Sequence, residues 1–170
     1  MKCLIVSDSH GLHHELLELV DRHEEEVDLF IHCGDSELSG EDEVIIPYRT
    51  VQGNCDFGKD FPETQFIQFG KWPVFVTHGH LYNVKSTLMN LVYKSEEAGA
   101  KVVCFGHSHI AGAEKIGDCL FINPGSIRLP KGSKHKTYAI LEQRDDQAIV
   151  DFYTLEGKHL PEWRMETTLS

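Results

Sequence analysis

The sequence predicts an α/β fold in which two packed β-sheets are flanked by helices. In the N-terminal half, apolar runs of strand length alternate with amphipathic helical stretches, as in βα units. In the C-terminal half, four strand-like runs follow one another closely, which predicts an antiparallel second sheet. Five apolar runs end in Asp, His or Asn. Because ligands collect at the carboxyl ends of strands in open α/β sheets, these ends are candidate functional positions.

The N-terminal half contains three predicted strands and one helix. Residues 2–7 form a continuous apolar strand, and residues 28–33 form a second. Between them, apolar side chains recur at helical spacing, with charged residues on the opposite face. The apolar stripe consists of Leu12, Leu16, Leu17, Leu19 and Val20. A third strand is expected only after Pro47, because proline cannot donate a hydrogen bond to a sheet.

The rest of the chain predicts a hairpin, a second helix and five more strands. The hairpin turns at Gly70, and the helix is expected to run from an N-cap at Asn83 to an end at Gly99. The following strand ends at His107. The C-terminal strands are predicted at residues 111–116, 119–126, 136–143 and 147–155. The last fifteen residues carry little signal.

Composition restricts the class of protein. A chain of 170 residues, 41% of them hydrophobic, suits one domain, which we place at residues 1–170. The formal net charge of −11 argues against binding to long nucleic acids or to an anionic membrane, which both select basic surfaces. Five cysteines without a CxxC pair are typical of reduced thiols, and no apolar run suits a signal peptide or a membrane span. We therefore expect a cytoplasmic protein.

The polar residues at the predicted strand ends form a set of nitrogen and oxygen donors. They are Asp8, His10, Asp35, Asn54, His78, His107 and His109. The set suits Mn, Fe, Co, Ni or Zn, and it is too large for one tetrahedral ion but sufficient for two ions that share a carboxylate. Two dications outweigh two carboxylates, so the pocket would attract a small phosphate ester. The ions would also lower the pKa of a bridging water and so produce the nucleophile.

Each of these residues has a structural explanation when it is taken alone. A single Asp-x-His is common in turns, and His107 with His109 could be satisfied core histidines. Their joint occurrence at strand ends favours the metal site. We expect His32 to pack within its strand, and Arg128 and Lys131 to face solvent. The remaining histidines are assigned to the solvent-facing surface: His13, His14, His23, His135 and His159.

The ordered set Asp-x-His, Gly-Asp, Gly-Asn-x-Asp, His-Gly-His and Gly-His-x-His resembles the calcineurin-like metallophosphoesterase superfamily. It looks most like the small YfcE-type phosphodiesterases, which also fits the Asn-Pro-Gly-Ser at residues 123–126. The resemblance implies a four-layer α/β/β/α sandwich with two mixed sheets and a dinuclear metal site. It also implies that His80 lies near the pocket, where it contacts either the substrate or a group that supports a metal ligand. The implied ligands are Asp8, His10 and His109 for one metal, Asn54, His78 and His107 for the other, and Asp35 as the bridge.

Cys55 departs from the pattern of the wider superfamily. Many members have a histidine after the Gly-Asn of the third motif, and that histidine is thought to protonate the leaving oxygen; YfcE-type members often have cysteine. A thiol, with a reference pKa of about 8.5, is a weaker acid catalyst. We therefore predict a preference for esters with good leaving groups.

The sequence thus predicts a metal-dependent phosphodiesterase that hydrolyses a small or activated diester through two metal ions and a metal-bound hydroxide. Mn is the first choice of metal, with Ni, Fe, Zn and Co as alternatives, and Asn54, Cys55 and His80 are the candidate catalytic residues. A monoester phosphatase, or a nuclease acting on short ends, would use the same chemistry. A scaffold like the retromer subunit of this fold should have lost its ligands, whereas all seven positions here can coordinate. A homo-oligomer remains open.

Overall fold

The computed structural model describes residues 1–58 and 60–170. The described strands and α-helices are β1 (Lys2–Val6), α1 (His14–His23), β2 (Leu29–His32), β3 (Tyr48–Thr50), β4 (Thr64–Phe69), β5 (Trp72–Thr77), α2 (Met89–Ala98), β6 (Val102–Cys104), β7 (Gly112–Ile116), β8 (Cys119–Asn123), β9 (Thr137–Arg144), β10 (Gln147–Thr154) and β11 (Met165–Thr168). Two 3-10 helices span His80–Tyr82 and Pro161–Trp163.

The strands form two mixed sheets, as the family resemblance implied. One sheet has the order β11-β10-β9-β1-β2-β3, and the other has the order β4-β5-β6-β8-β7. In the first sheet β1 and β2 are parallel, as are β2 and β3, whereas β9 runs antiparallel to β1. In the second sheet β5, β6 and β8 are parallel. Each sheet therefore has a central group of parallel strands whose carboxyl ends lie at one edge.

Alternation along the strands produces four layers. In β1, Ile5 belongs to the core between the two sheets, whereas Leu4 packs with Leu16 and Leu19 of α1. In the second sheet, Val103 packs on the opposite side, in a cluster with residues of α2. The order of layers is thus α1, first sheet, second sheet, α2, which confirms the predicted α/β/β/α sandwich.

The prediction that the C-terminal strands form a separate antiparallel sheet was wrong. The hairpin of β7 and β8 extends the second sheet, whereas the hairpin of β9 and β10 joins the first sheet beside β1. This arrangement places Ala139 and Leu141 between the sheets and Tyr138 and Ile140 on the side of α1, so both faces of β9 are buried. Strand β11 was missed, because its alternate residues are exposed and its apolar content is low.

Three local predictions also require correction. Asn83 is not an N-cap: it follows the first 3-10 helix with φ 55°, and α2 begins at Met89. Leu17 is exposed, because only part of the predicted stripe faces the sheet. His23 is buried rather than solvent-facing, and its Nε2 lies 2.8 Å from the Tyr138 hydroxyl. Gly99 ends α2 with φ 67°, as predicted.

No helix among the described residues combines the length and the apolar character that crossing a bilayer would require.

Candidate active site

The residues that follow β1, β2 and β3 in one sheet meet those that follow β5 and β6 in the other. Asp8 lies at this meeting point: its Oδ1 is 3.1 Å from His109 Nε2 and 3.8 Å from both His10 Nε2 and His78 Nε2. His10 Nε2 and His109 Nε2 are 3.3 Å apart. Asp8, His10 and His109 therefore offer three donor atoms within 4.8 Å of one another, which suits one metal ion.

A second group of donors surrounds His78. Its Nε2 lies 3.2 Å from Asp35 Oδ2 and 3.1 Å from Asn54 Oδ1. The ring of His107 packs beside that of His78, with 5.1 Å between their centroids. The structure brings His107 to the site, although its nitrogen atoms belong to none of the compact donor clusters found among the described residues.

Asp35 lies between the two groups. Its carboxylate forms one compact donor cluster with Asp8 and His78, and another with His10 and Cys55. A carboxylate with this placement can reach an ion on either side, which is what a shared ligand requires.

Hydrogen bonds on the outer side of three histidines fix the direction of their rings. The Nδ1–H groups of His78 and His109 donate to the carbonyl oxygens of Cys33 and Leu129, each at 2.7 Å. His10 Nδ1 lies 2.6 Å from a carboxylate oxygen of Glu37. Each contact fixes the ring so that Nε2 is directed at the centre, which is the usual arrangement of metal-bound histidine.

Most of the predicted ligands have a left-handed backbone, which is uncommon outside glycine. The five are Asp8 (φ 53°), His10 (φ 44°), Asp35 (φ 56°), His107 (φ 69°) and His109 (φ 60°). Glycines next to these residues let the loops approach one another. A methyl group on Gly34 would lie 2.8 Å from His78 Nδ1, and one on Gly53 would overlap the Asp35 carboxylate.

Residues that are not predicted metal ligands connect these loops by hydrogen bonds. The carboxylate of Asp56 accepts hydrogen bonds from the backbone N–H groups of Asp35 (2.9 Å), Glu37 (2.8 Å) and Gly53 (2.7 Å). It thereby joins the loop after β2 to the loop after β3.

The Asn-Pro-Gly-Ser turn after β8 ties the loops after β1 and β6. Asn123 Nδ2 donates to the Gly106 carbonyl (3.2 Å) and the Ser108 hydroxyl (2.9 Å). Ser126 Oγ donates to the Asp8 carbonyl at 2.7 Å. The two side chains therefore hold loops from different sheets in one arrangement.

The protonation states also suit metal binding. Burial disfavours the charged form of Asp8 and Asp35, but the neighbouring imidazoles of His109 and His78, respectively, outweigh burial and lower the pKa of each carboxyl. Burial, His78 and Lys85 lower the pKa of His107 to about 4, so this imidazole is neutral at pH 7. Both carboxylates and the neutral imidazole thus have free electron pairs for a cation.

The donors fit divalent metal ions. Asp8 Oδ1 is buried and accepts no hydrogen bond from any residue that the structure describes. A buried, ionised oxygen that accepts no hydrogen bond is costly, and a cation bound together with the neighbouring imidazole nitrogens would compensate that cost. The donor set of imidazole, carboxylate and amide suits first-row divalent metals.

The candidate catalytic side chains lie at the margin of this centre. Cys55 is partly buried; burial and then the Asp35 carboxylate raise the pKa of its thiol to about 11. His80 Nδ1 is buried and has no hydrogen-bond partner among the described residues, and the His80 ring lies 6.1 Å from that of His107. Arg128 and Lys131 are exposed, as predicted, although the Arg128 guanidinium donates to the His10 carbonyl.

Glu37 was missed by the sequence analysis. It is not among the predicted site residues, yet its carboxylate contacts His10 Nδ1 and orients that ring. Its position two residues after Asp35, at the end of a predicted strand, was the available signal. His32 does pack inside as predicted: its Nδ1 accepts from the Gly34 N–H at 3.1 Å, and its Nε2 lies 2.8 Å from the Ser9 hydroxyl.

Comparison with known proteins shows the family to which the chain is similar. The model of the calcineurin-like phosphoesterase superfamily domain matches residues 1–146. Probable metallophosphoesterase YsnB of Bacillus subtilis is 50% identical over 169 residues, which cover 99% of this chain and 100% of YsnB. Phosphodiesterase YfcE of Escherichia coli K12 is 34% identical over 108 residues, 59% of this chain and 55% of YfcE. A conserved Streptococcus pneumoniae protein, described as a predicted phosphoesterase, has a crystal structure that matches with TM-score 0.94 and 34% identity over 98% of this chain and 97% of that chain. The chain therefore belongs to the calcineurin-like phosphoesterase superfamily and is a metallophosphoesterase, a hydrolase of phosphoric esters.

Proposed function

We propose that the protein is a metal-dependent phosphodiesterase that acts on a small or activated phosphate diester at a dinuclear site. The observation that carries the proposal is the placement of Asp35 between two groups of donors. The proposed ligands are Asp8, His10 and His109 for one ion, Asn54, His78 and His107 for the other, and Asp35 for both. The ions, with Mn²⁺ as the first choice, would neutralise charge on the phosphate. They would also lower the pKa of a water molecule, so that hydroxide is available to attack phosphorus.

The chain itself supplies orientation and selectivity. The outer hydrogen bonds of His10, His78 and His109 keep their Nε2 atoms directed inward before any ion binds, so less ordering is required on binding. The net charge of −11 repels polyanions, whereas a centre with two dications attracts a small anion. A small ester is therefore favoured over a long nucleic acid.

Cys55 favours esters whose leaving group needs little protonation. A thiol with a pKa of about 11 holds its proton at pH 7 and is a poor acid catalyst, since general acids work best with a pKa near the working pH. His80 lies close to the centre, its Nδ1 has no hydrogen-bond partner in residues 1–58 and 60–170, and it is proposed to contact a phosphate oxygen. Activated diesters, such as aryl esters, are therefore the preferred substrates in this proposal.

The test is hydrolysis of bis(p-nitrophenyl) phosphate and p-nitrophenyl phosphate with Mn²⁺, together with a count of bound metal ions by elemental analysis. The variants are Asp35→Ala and, as a matched control, Asp118→Ala in the exposed turn between β7 and β8. We expect two ions per chain and faster turnover of the diester in the wild type and in the control. Asp35→Ala should lose an ion and nearly all turnover.

The other outcomes distinguish the alternatives. Faster turnover of the monoester would identify a phosphatase. One ion per chain in the active wild-type protein would contradict the dinuclear site. Two bound ions without turnover of either ester would favour a scaffold and direct the search towards protein partners.

A further inference from the structure

A cavity of about 480 Å³ lies beside the candidate metal centre. Phe105 and Ser108 both line it, and these two residues flank Gly106-His107 in the sequence. The cavity therefore begins next to a proposed metal ligand. Its volume lies within the range of about 300–1,000 Å³ that is usual for small-molecule sites.

The lining of the cavity is largely apolar. Phe105 and Phe121 are 7% and 1% exposed and belong to the buried cluster beneath α2. Val84, Leu88 and Ile110 complete the apolar part of the lining. This surface can accept a ring-sized apolar group, whose transfer out of water is favourable.

The charged residues of the cavity favour an anionic ligand. Lys85 and Lys131 supply two positive charges against the single carboxylate of Glu114. The backbone N–H of Lys131 donates to the His109 carbonyl at 3.0 Å, so the segment carrying this lysine is attached to the metal centre. A lysine pair in a chain of net charge −11 marks this part of the surface as a place for an anion.

We propose that the cavity binds the non-reacting arm of the substrate diester and that this arm is an aromatic group of about the size of a phenyl ring. The phosphate group would lie at the metal centre, with Lys85 and Lys131 attracting it, while the arm extends over Phe105 and Phe121. This inference rests on the proposed function and specifies its substrate class: a diester with one bulky aromatic arm.

Gly112 provides a direct way to fill the cavity. Ile116 packs in the cluster of Phe105 and Phe121, and alternation along β7 places Gly112 on the same face as Ile116. Gly112 lines the cavity, its φ angle lies outside the left-handed region, and a Cβ atom there would meet nothing within 4 Å. A tryptophan at this position can therefore occupy the cavity without straining the strand.

The test compares phenyl p-nitrophenyl phosphate with methyl p-nitrophenyl phosphate in the presence of Mn²⁺. Both esters release p-nitrophenolate, so only the non-reacting arm differs. Rates without protein correct for intrinsic reactivity. The variants are Gly112→Trp, Gly112→Leu in case the larger residue prevents folding, and Lys115→Trp as a control that places the same side chain on the other face of β7.

We expect the wild type and Lys115→Trp to prefer the phenyl ester in kcat/KM by about tenfold or more, as for a ring transferred into an apolar pocket. Gly112→Trp should reduce the preference to below about threefold, since the cavity is then filled. Lys85→Met and Lys131→Met should each raise KM for both esters by about two- to fivefold, while Lys101→Met, at the opposite end of β6, should not.

Three results would overturn the inference. Equal turnover of the two esters by the wild type, or an unchanged preference in folded Gly112→Trp and Gly112→Leu, would refute the cavity and leave the proposed function intact. Failure to hydrolyse either diester would remove the proposed function and the inference with it.

Discussion

Replacing Gly106 by alanine is expected to damage both the stability of the protein and its candidate metal centre. Gly106 is buried directly before His107, and its φ angle lies outside the left-handed region, so the effect would come from space alone. A methyl group would overlap the Ser7 hydroxyl and lie 2.6 Å from Asp8 Oδ2. Neither neighbour can move freely, because Ser7 Oγ donates to Asp8 Oδ2 at 2.6 Å.

The size of the effect follows from these contacts. Asp8 Oδ2 also accepts the His107 N–H at 3.1 Å, so displacing the carboxylate weakens two hydrogen bonds to a charged group. Loss of such bonds costs about 1.5–3 kcal/mol, and forcing a methyl group into a packed interior costs about 1–3 kcal/mol. The lower entropy of alanine in the unfolded chain returns about 0.4–1 kcal/mol. The free energy of unfolding should fall by about 2–5 kcal/mol.

The assay is urea unfolding of metal-free protein, followed by a count of bound Mn²⁺. Gly112→Ala is the matched control, because a Cβ atom there meets nothing within 4 Å; it should be neutral or more stable by about 0.5 kcal/mol. Gly106→Ala should also bind fewer ions, since Asp8 must shift. A Gly106→Ala protein with wild-type stability and full metal content would refute this account of the site.

Three further changes test the surroundings of the centre. Burial lowers the pKa of His32 to about 4, against about 6.5 in the unfolded chain, so the unfolded state binds more protons between these two pH values. Urea unfolding should therefore show that the free energy of unfolding falls by up to about 3 kcal/mol as the pH decreases from 6.5 to 4. His32→Gln should flatten this dependence. Glu37→Gln removes the carboxylate partner of His10 and should weaken Mn²⁺ binding by about 10- to 100-fold in calorimetric titrations, with wild-type affinity contradicting the orienting role. Cys55→His should raise the turnover of alkyl aryl diesters with poor leaving groups by up to about a hundredfold. It should also flatten the plot of log rate against leaving-group pKa. An unchanged slope would show that protonation of the leaving group does not limit the rate.

The parts of the fold that depend on local pattern could be predicted, and those that depend on pairing between distant segments could not. The apolar run of β1 and the turn at Gly70 are local signals, and the structure confirms both. Whether β9 pairs with β1 or with β8 is decided by burial on two faces of a sheet, which the sequence of β9 does not specify. Antiparallel hairpins were therefore predicted, but their division between two sheets was not.

The candidate site shows the same division. Its donors could be listed because each follows a strand, and the structure brings all of them to one edge. The partners that orient the donors lie far away in sequence: Glu37 is 27 residues from His10, and Leu129 is 20 residues from His109. Backbone carbonyl partners have no side-chain signature at all. The backbone conformation of the ligands could not be predicted either, since the surroundings impose a positive φ on a non-glycine residue.

The left-handed backbone of the predicted ligands explains why residues that are not ligands matter for this site. Each such conformation carries a cost of about 1–2 kcal/mol for an ordinary L-residue, somewhat less for Asp, and relaxes unless the surroundings hold it. Asp56, Asn123 and Ser126 provide that support. Asp56 joins the loops after β2 and β3, and Asn123 with Ser126 joins the loops after β6 and β1. The cost is met by the folding of the whole domain. Because the fold itself supports the ligand loops, binding energy from the ester can be used on the reacting phosphate rather than on assembling the site.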